Sequence, residues 1–301
     1  MKVSQCVEAY LRQKHALGYA YTASAKVLRR FARCVGILDI SLVADHHIDD
    51  FLSRTHISNN TWQTYSDHLR RFFVFWFIRR RIRRIPKPKI KPGTPKTFYP
   101  HVYTRTEIRR LLDAAVACQR SPACTLGPET LKTIVLFLYG TGVKMREAAA
   151  TLDSDIDFAN STVRLRDTVR RRVIPIGSDV KRLLKRHLRS SERSRFGSGR
   201  PLFLTMKGNS MRASGFWKIF RRLRNMAGVE RADGPYQPRV YDLRHTFAVH
   251  SIAHWNDEGI ELEKTLPLLA AYMGNVDLSG VERYLDLSPC RYQSQLERLK
   301  V

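Results

Sequence analysis

The sequence predicts a mostly α-helical chain in two parts, an all-α domain over residues 1–85 and an α+β domain over residues 101–301 with a small antiparallel sheet, joined by a basic, proline-rich linker at 86–100. Three observations lead there. Apolar residues recur at three- to four-residue spacing through most of the chain, the period of amphipathic helices packed on a core. Residues 155–176 break that period with short β-rich runs separated by turn residues. Prolines at 86, 88, 92 and 95 deny the linker a helix and leave an extended, solvated strap.

In the first part, Val7, Tyr10 and Leu11 mark one helix, Val27, Leu28, Phe31 and Val35 a second, and Trp62, Tyr65, Leu69, Phe72, Phe73 and Trp76 a third. The third runs into Arg79-Arg80-Arg81-Ile82-Arg83-Arg84 and then Lys87 and Lys89, a run of charge suited to tracking phosphates. The second part opens at Thr104, placed to cap a helix, with Glu107 reaching back to complete the capping box ahead of Ile108, Leu111, Leu112 and Ala115. An apolar helix over 131–139 is closed by Gly140-Thr141-Gly142, and another covers 144–152. Runs at 155–158, 162–166 and 172–176 form the sheet. Ser178 and Ser214 read as N-caps of helices over 180–188 and 216–226, and further helices cover 243–255 and 265–273, the last stopped by Gly274.

Lysine and arginine number 53 against 27 acidic residues in 301, a formal net charge of +26. Half the excess, +13, lies in residues 1–96 and half in 97–301. That imbalance implies a polyanionic partner, while 43% hydrophobic residues supply a core and exclude a disordered basic tail. The N-terminus lacks the apolar run of a signal peptide, and the longest apolar run, residues 72–78, is far short of the ~20 residues that cross a bilayer, so no membrane partner is expected. Cys6, Cys34, Cys118, Cys124 and Cys290 are scattered and never spaced C-x-x-C, which supports neither a disulfide framework nor a metal site.

Three segments of the second part carry chemistry: Tyr139-Gly140-Thr141-Gly142-Val143-Lys144-Met145-Arg146-Glu147-Ala148, then Tyr241-Asp242-Leu243-Arg244-His245-Thr246-Phe247-Ala248, then Leu268-Leu269-Ala270-Ala271-Tyr272-Met273-Gly274-Asn275 with Tyr284 nine residues on. Together they resemble the signature boxes of the tyrosine recombinase (phage integrase) family, with the recombinases found in tandem trios on bacterial mobile elements the most similar branch. The middle segment is the most specific, matching seven of eight places in the family's H-x-L-R-H-T-F-A pattern, and Arg244 follows Lys144 by 100 residues as the box order requires.

The resemblance implies an all-α, SAM-like core-binding domain, a linker and an α+β catalytic domain, acting as a site-specific DNA recombinase, the integrase or transposase of a mobile element. In that chemistry a tyrosine phenolate attacks a phosphodiester and leaves a 3′-phosphotyrosyl bond and a free 5′-hydroxyl, so the bond energy is kept and no metal, ATP or other cofactor is needed. By this resemblance Tyr284 is the nucleophile and Arg244 the clamp on the non-bridging oxygens. Lys144, Tyr241 and Asn275 fill further catalytic places, and Arg79, Arg80, Arg81, Arg83, Arg84, Lys87, Lys89, Arg166 and Arg170 are DNA-binding cations. The implied partner is double-stranded DNA, held by a homo- or hetero-tetramer in the cytoplasm, at the nucleoid. Glu147 is expected to orient neighbouring basic side chains and His245 to pack between helices. The stretch 289–301, with Tyr292, Leu296 and Leu299, is a candidate to pack on a neighbour or to fold back on its own domain.

Several places depart from the family. Lys144 stands where its first arginine would be, and a point charge cannot make the planar two-oxygen grip. Counting back five residues from Arg172 in Arg172-Val173-Ile174-Pro175, the place of the family's lysine is Asp167, which repels phosphate. Tyr241 and Asn275 replace residues that are usually histidine, or histidine and tryptophan. Two readings therefore stay open: a working recombinase, and a degraded member that binds DNA beside cutting partners.

Overall fold

The computed structural model describes residues 1–53, 57–89, 99–120, 124–166, 171–231, 236–275, 279–282, 284 and 285. The positions of Asp167, Arg170, Arg283 and the stretch 289–301 lie outside the described residues. The chain divides into two compact units, Met1–Thr97 and Phe98–Val301.

The first unit is helical: α1 (Val3–Ala16), α2 (Thr22–Val35), α3 (Asp45–Ser53) and α4 (Asn59–Ile78). The three helices marked by apolar spacing enclose one core in which Tyr10, Phe31, Phe72 and Phe73 are fully buried. Their rings meet edge to face, Tyr10 on Phe72 at 5.6 Å and Phe31 on Phe73 at 5.9 Å between centroids. Each such ring contributes about 1.5–3 kcal/mol by leaving water. The sequence reading did not anticipate α3. Its segment, Asp-His-His-Ile-Asp-Asp-Phe-Leu-Ser, is polar, yet Ile48, Phe51 and Leu52 fall on one face and are buried. Its carboxylates hold the start of the linker, Asp45 and Asp49 accepting the backbone N–H groups of Lys87 at 2.8 Å and Lys89 at 2.7 Å. The first residues of the strap are therefore docked on α3 rather than solvated.

The second unit runs α5 (Arg105–Asp113), α6 (Ala115–Gln119), α7 (Pro128–Thr141), α8 (Met145–Ala150), β1 (Ile156–Asp157), β2 (Thr162–Leu165), β3 (Arg172–Pro175), α9 (Ser178–Arg189), α10 (Ser191–Ser194), α11 (Ala213–Met226), α12 (Asp242–Asp257), α13 (Leu262–Met273) and α14 (Ser279–Glu282). The capping box forms as the sequence implies: Glu107 N–H donates to Thr104 Oγ1 at 3.1 Å, and Thr104 N–H donates to the Glu107 carboxylate at 2.8 Å. The sheet is antiparallel in the order β1-β2-β3, with Val163 opposite Ile156 and Ile174 and its side chain in the core. Two caps differ from expectation. Ser178 and Ser214 lie inside α9 and α11, whose N-caps are Gly177 and Arg212 and receive no side-chain bond.

One core gathers α5 to α9, α11 and the sheet around Phe137, Phe203, Phe216 and Phe220, and a smaller cluster joins α12, α13 and the residues around Tyr284. Two glycines end helices at the site. Gly142, after α7, has φ +60°, and a Cβ there would stand 2.3 Å from Phe247 Cδ1. Gly274, after α13, has φ +68°, and a Cβ there would stand 2.8 Å from Arg172 Nη1. Among the described residues, no helix is long and apolar enough to cross a membrane.

Candidate active site

Arg244 lies in the first turn of α12 and is 2% exposed. Its guanidinium donates from Nη1 to Gly142 O at 2.7 Å and from Nη2 to Met273 O at 2.7 Å, so it spans the carbonyl ends of α7 and α13. Those ends carry the negative pole of each helix, which favours a cation there. Asn275, just past α13, accepts from Nη2 through Oδ1 at 3.2 Å. Because a guanidinium only donates, the amide oxygen must face it and the amide nitrogen must face away. Among the described residues, two buried donors here, Arg244 Nε and Asn275 Nδ2, have no partner. A buried donor without an acceptor costs about 1–3 kcal/mol, and an anion with two exposed oxygens satisfies both.

Cation density rises around this point. Lys144 caps α8, and its N–H donates to Glu147 Oε2 at 2.7 Å. Burial, then Arg244, push the Lys144 ammonium below the ordinary lysine range of 10.5, Glu147 opposing them and Arg146 and Arg172 adding to them. Glu147 is fully buried and is gripped by Arg172 from β3 through Nη1 at 2.6 Å and Nη2 at 3.1 Å. Arg172 Nε also donates to Tyr272 O at 3.0 Å. Glu147 thus orients basic groups at the site, with Arg172 its guanidinium partner. As a site residue Arg172 was missed in the sequence, where it served only as an anchor for counting. The available signal was Glu147 itself, since a buried acid three residues after Lys144 needs a cation from elsewhere in the fold.

Tyr284 is 4% exposed and packs with Val281 and Leu285 against Ala248, Ile252 and Met273. Its ring meets that of His245 at 5.4 Å between centroids, and His245 in turn meets Tyr241 edge-on at 5.1 Å. The residue after Arg244 therefore ties the tyrosine to α12, and His245 packs as the sequence suggested. Tyr241, at the N-cap of α12, is 43% exposed.

The structure brings Arg244, Asn275 and Lys144 together and joins Tyr284 and Tyr241 through His245. The other named cations lie elsewhere. Arg166 forms a two-point pair with the buried Asp155 at 2.6 and 2.9 Å. Arg79 lies over the Phe75 ring at 3.6 Å and donates to Gln13 at 2.9 Å, while Arg84 pairs with Asp45 at 2.5 Å. Arg80, Arg81 and Arg83 are exposed. A further basic surface went unremarked in the sequence: α11 exposes Trp217, with Arg221 5.2 Å and Lys218 5.8 Å from its ring centre, beside a groove of about 790 Å³ also lined by Arg212 and Arg222.

Comparison with known proteins agrees with this geometry. The Phage integrase family model matches residues 102–289. A Sinorhizobium fredii protein named as an integrase/recombinase is 30% identical over 93% of this chain and 90% of its own length. The tyrosine recombinase XerC of Bacillus licheniformis is 26% identical over 89% of this chain and 84% of its own. Among solved structures, the integrase of transposon Tn1549 in complex with transposon right-end DNA superposes with a TM-score of 0.70 at 17% identity, covering 100% of both chains, a likeness of fold. By this family match and these relatives, the chain belongs to the phage integrase family of tyrosine recombinases and is a site-specific DNA recombinase.

Proposed function

We propose that Tyr284 is the nucleophile and Arg244 the phosphate clamp of this recombinase, with Asn275 donating to a non-bridging oxygen, Lys144 adding positive charge and Tyr241 donating from the exposed rim. The observation that carries the reading is a pair of buried donors without a partner among the described residues, Arg244 Nε on the helix that His245 links to Tyr284 and Asn275 Nδ2 just past α13. A scissile phosphodiester supplies the two oxygens that such donors lack. Duplex DNA is the substrate. Its backbone is held by the exposed arginines 80, 81 and 83 in one unit and by the Trp217, Lys218 and Arg221 face in the other. The domain over residues 1–85 acts as the core-binding module, and the chain works in the cytoplasm as the integrase or transposase of a mobile element, in a tetramer on DNA. The match to a transposon integrase fold supports the mobile-element role.

The test is a suicide duplex, nicked so that the cut strand diffuses away, built on the sequence that the protein enriches from a random-sequence DNA pool. Wild type should accumulate a covalent protein–DNA adduct, and Tyr284→Phe, which keeps the ring packing, should form none while binding DNA as before. An adduct that persists in Tyr284→Phe overturns the assignment.

A further inference from the structure

We propose that Lys144 is the general acid that protonates the leaving 5′-oxygen, and that Arg172 is the positioning residue that keeps Lys144 available by occupying Glu147. The inference rests on Tyr284 being the nucleophile and extends that reading to the other end of the breaking bond.

Among the described residues the cluster has one buried carboxylate, Glu147, and the cations Lys144, Arg146, Arg172 and Arg244, so the division of partners decides what each can do. Glu147 gives both oxygens to Arg172 and one also to the Lys144 backbone N–H. Arg172 is fixed further by its bond to Tyr272 O and by Gly274, whose missing side chain leaves the space that the guanidinium fills. Arg244 is fixed by two helix-end carbonyls. Among the described residues, no hydrogen bond or ion pair holds the Lys144 ammonium, which sits on a flexible four-carbon stem beside the clamp. Arginine cannot give up a proton near neutral pH, which leaves Lys144 as the proton donor in this cluster. Burial and the guanidiniums of Arg244, Arg146 and Arg172 all oppose its charged form, which makes it a stronger acid than an exposed lysine.

In the step, Tyr284 Oη forms a bond to phosphorus and its proton passes to water. The bond from phosphorus to O5′ breaks, its electron pair stays on oxygen, and the Nζ proton of Lys144 converts that oxygen to a hydroxyl. Rejoining runs in reverse: the neutral amine takes the proton of the attacking 5′-hydroxyl as the phosphotyrosyl bond breaks.

The test compares two suicide duplexes of the selected sequence that differ only at the scissile 5′-bridging atom, oxygen in one and sulfur in the other. A thiolate leaves without protonation, since thiols ionise near pH 8.5. Lys144→Arg keeps the charge and removes the usable proton, and Lys144→Ala removes both. Both variants should cleave the oxygen duplex about 10²- to 10⁴-fold more slowly than wild type and recover to near the wild-type rate on the sulfur duplex. Arg172→Met, which returns Lys144 to Glu147, should be slowed on oxygen and recover on sulfur in the same way. A Lys144→Arg enzyme that matches wild type on oxygen, or that is equally slow on both duplexes, overturns the proposal. Failure of wild type to form an adduct on either duplex overturns the Tyr284 reading, and this proposal with it, and that result is distinct from a defect confined to the variants.

Discussion

The two units of the chain carry equal net charge, +13 each, and use it in opposite ways. In the first, the arginines from 79 to 84 follow a helix end and are exposed, Arg79 lying over the Phe75 ring and Arg84 on the surface carboxylate of Asp45. In the second, Arg244, Arg172, Arg193 and Arg224 are buried or nearly so, each tied to backbone carbonyls or an acid. A surface charge interacts through solvent and is screened by salt, whereas a buried one is held in geometry and must have partners. The contrast separates binding from chemistry: the first kind of charge adds affinity in proportion to its number, and the second works only in place.

Five substitutions test this contrast, beginning with the largest effect. Arg244→Ala should lower adduct formation by about 10²- to 10³-fold and also destabilise the second unit, since it leaves the carbonyls of Gly142 and Met273 without donors at about 1–3 kcal/mol each; adduct yield and urea unfolding report the two losses separately. Glu147→Ala should cost about 3–5 kcal/mol by leaving the Arg172 guanidinium buried and unpaired, read as a lower urea midpoint at unchanged slope.

The third is a pH experiment. Burial alone would raise the Asp155 carboxyl, but Arg166 and the Leu152 N–H outweigh it and hold the group below its ordinary 3.8. A depressed carboxyl adds stability above its unfolded value, and that stability is lost as pH falls through the lower folded one. Arg166→Ala should therefore unfold at a higher pH on acid titration, by a modest amount because Arg166 is 48% exposed and its pairing is screened by solvent. The smallest effect belongs to the first unit: Arg81→Ala and Arg83→Ala should leave stability within about 0.5 kcal/mol of wild type. Each should lower the slope of log affinity against log salt by about 0.9, measured as DNA binding over a salt series.

Legibility in the sequence followed the range of the interaction. The Thr104–Glu107 box, the sheet strands and the glycine stops at 142 and 274 are local patterns, and the structure contains them. Ser178 and Ser214 fail as caps because α9 begins at Ser178 itself and α11 at Ala213, so both serines already lie inside their helices. The helix Asp45–Ser53 was missed because its polar residues, which later hold the linker, outnumber the three that pack. At the candidate site the family boxes point to Arg244 and Tyr284, but no local pattern tells that Arg172 crosses 25 residues to reach Glu147 or that Arg244 reaches carbonyls 102 and 29 residues away. Such partners are set by tertiary packing, which periodicity does not encode.

The guanidinium of Arg244 joins the ends of two helices before any substrate arrives, so it has an architectural duty beside the chemical one proposed for it. A copy of this gene drifting out of use would still be penalised for losing that arginine, because its bonds to the Gly142 and Met273 carbonyls hold the fold whether or not DNA is cut. Among decaying relatives, a retained arginine is therefore no mark of a recombinase that still cuts.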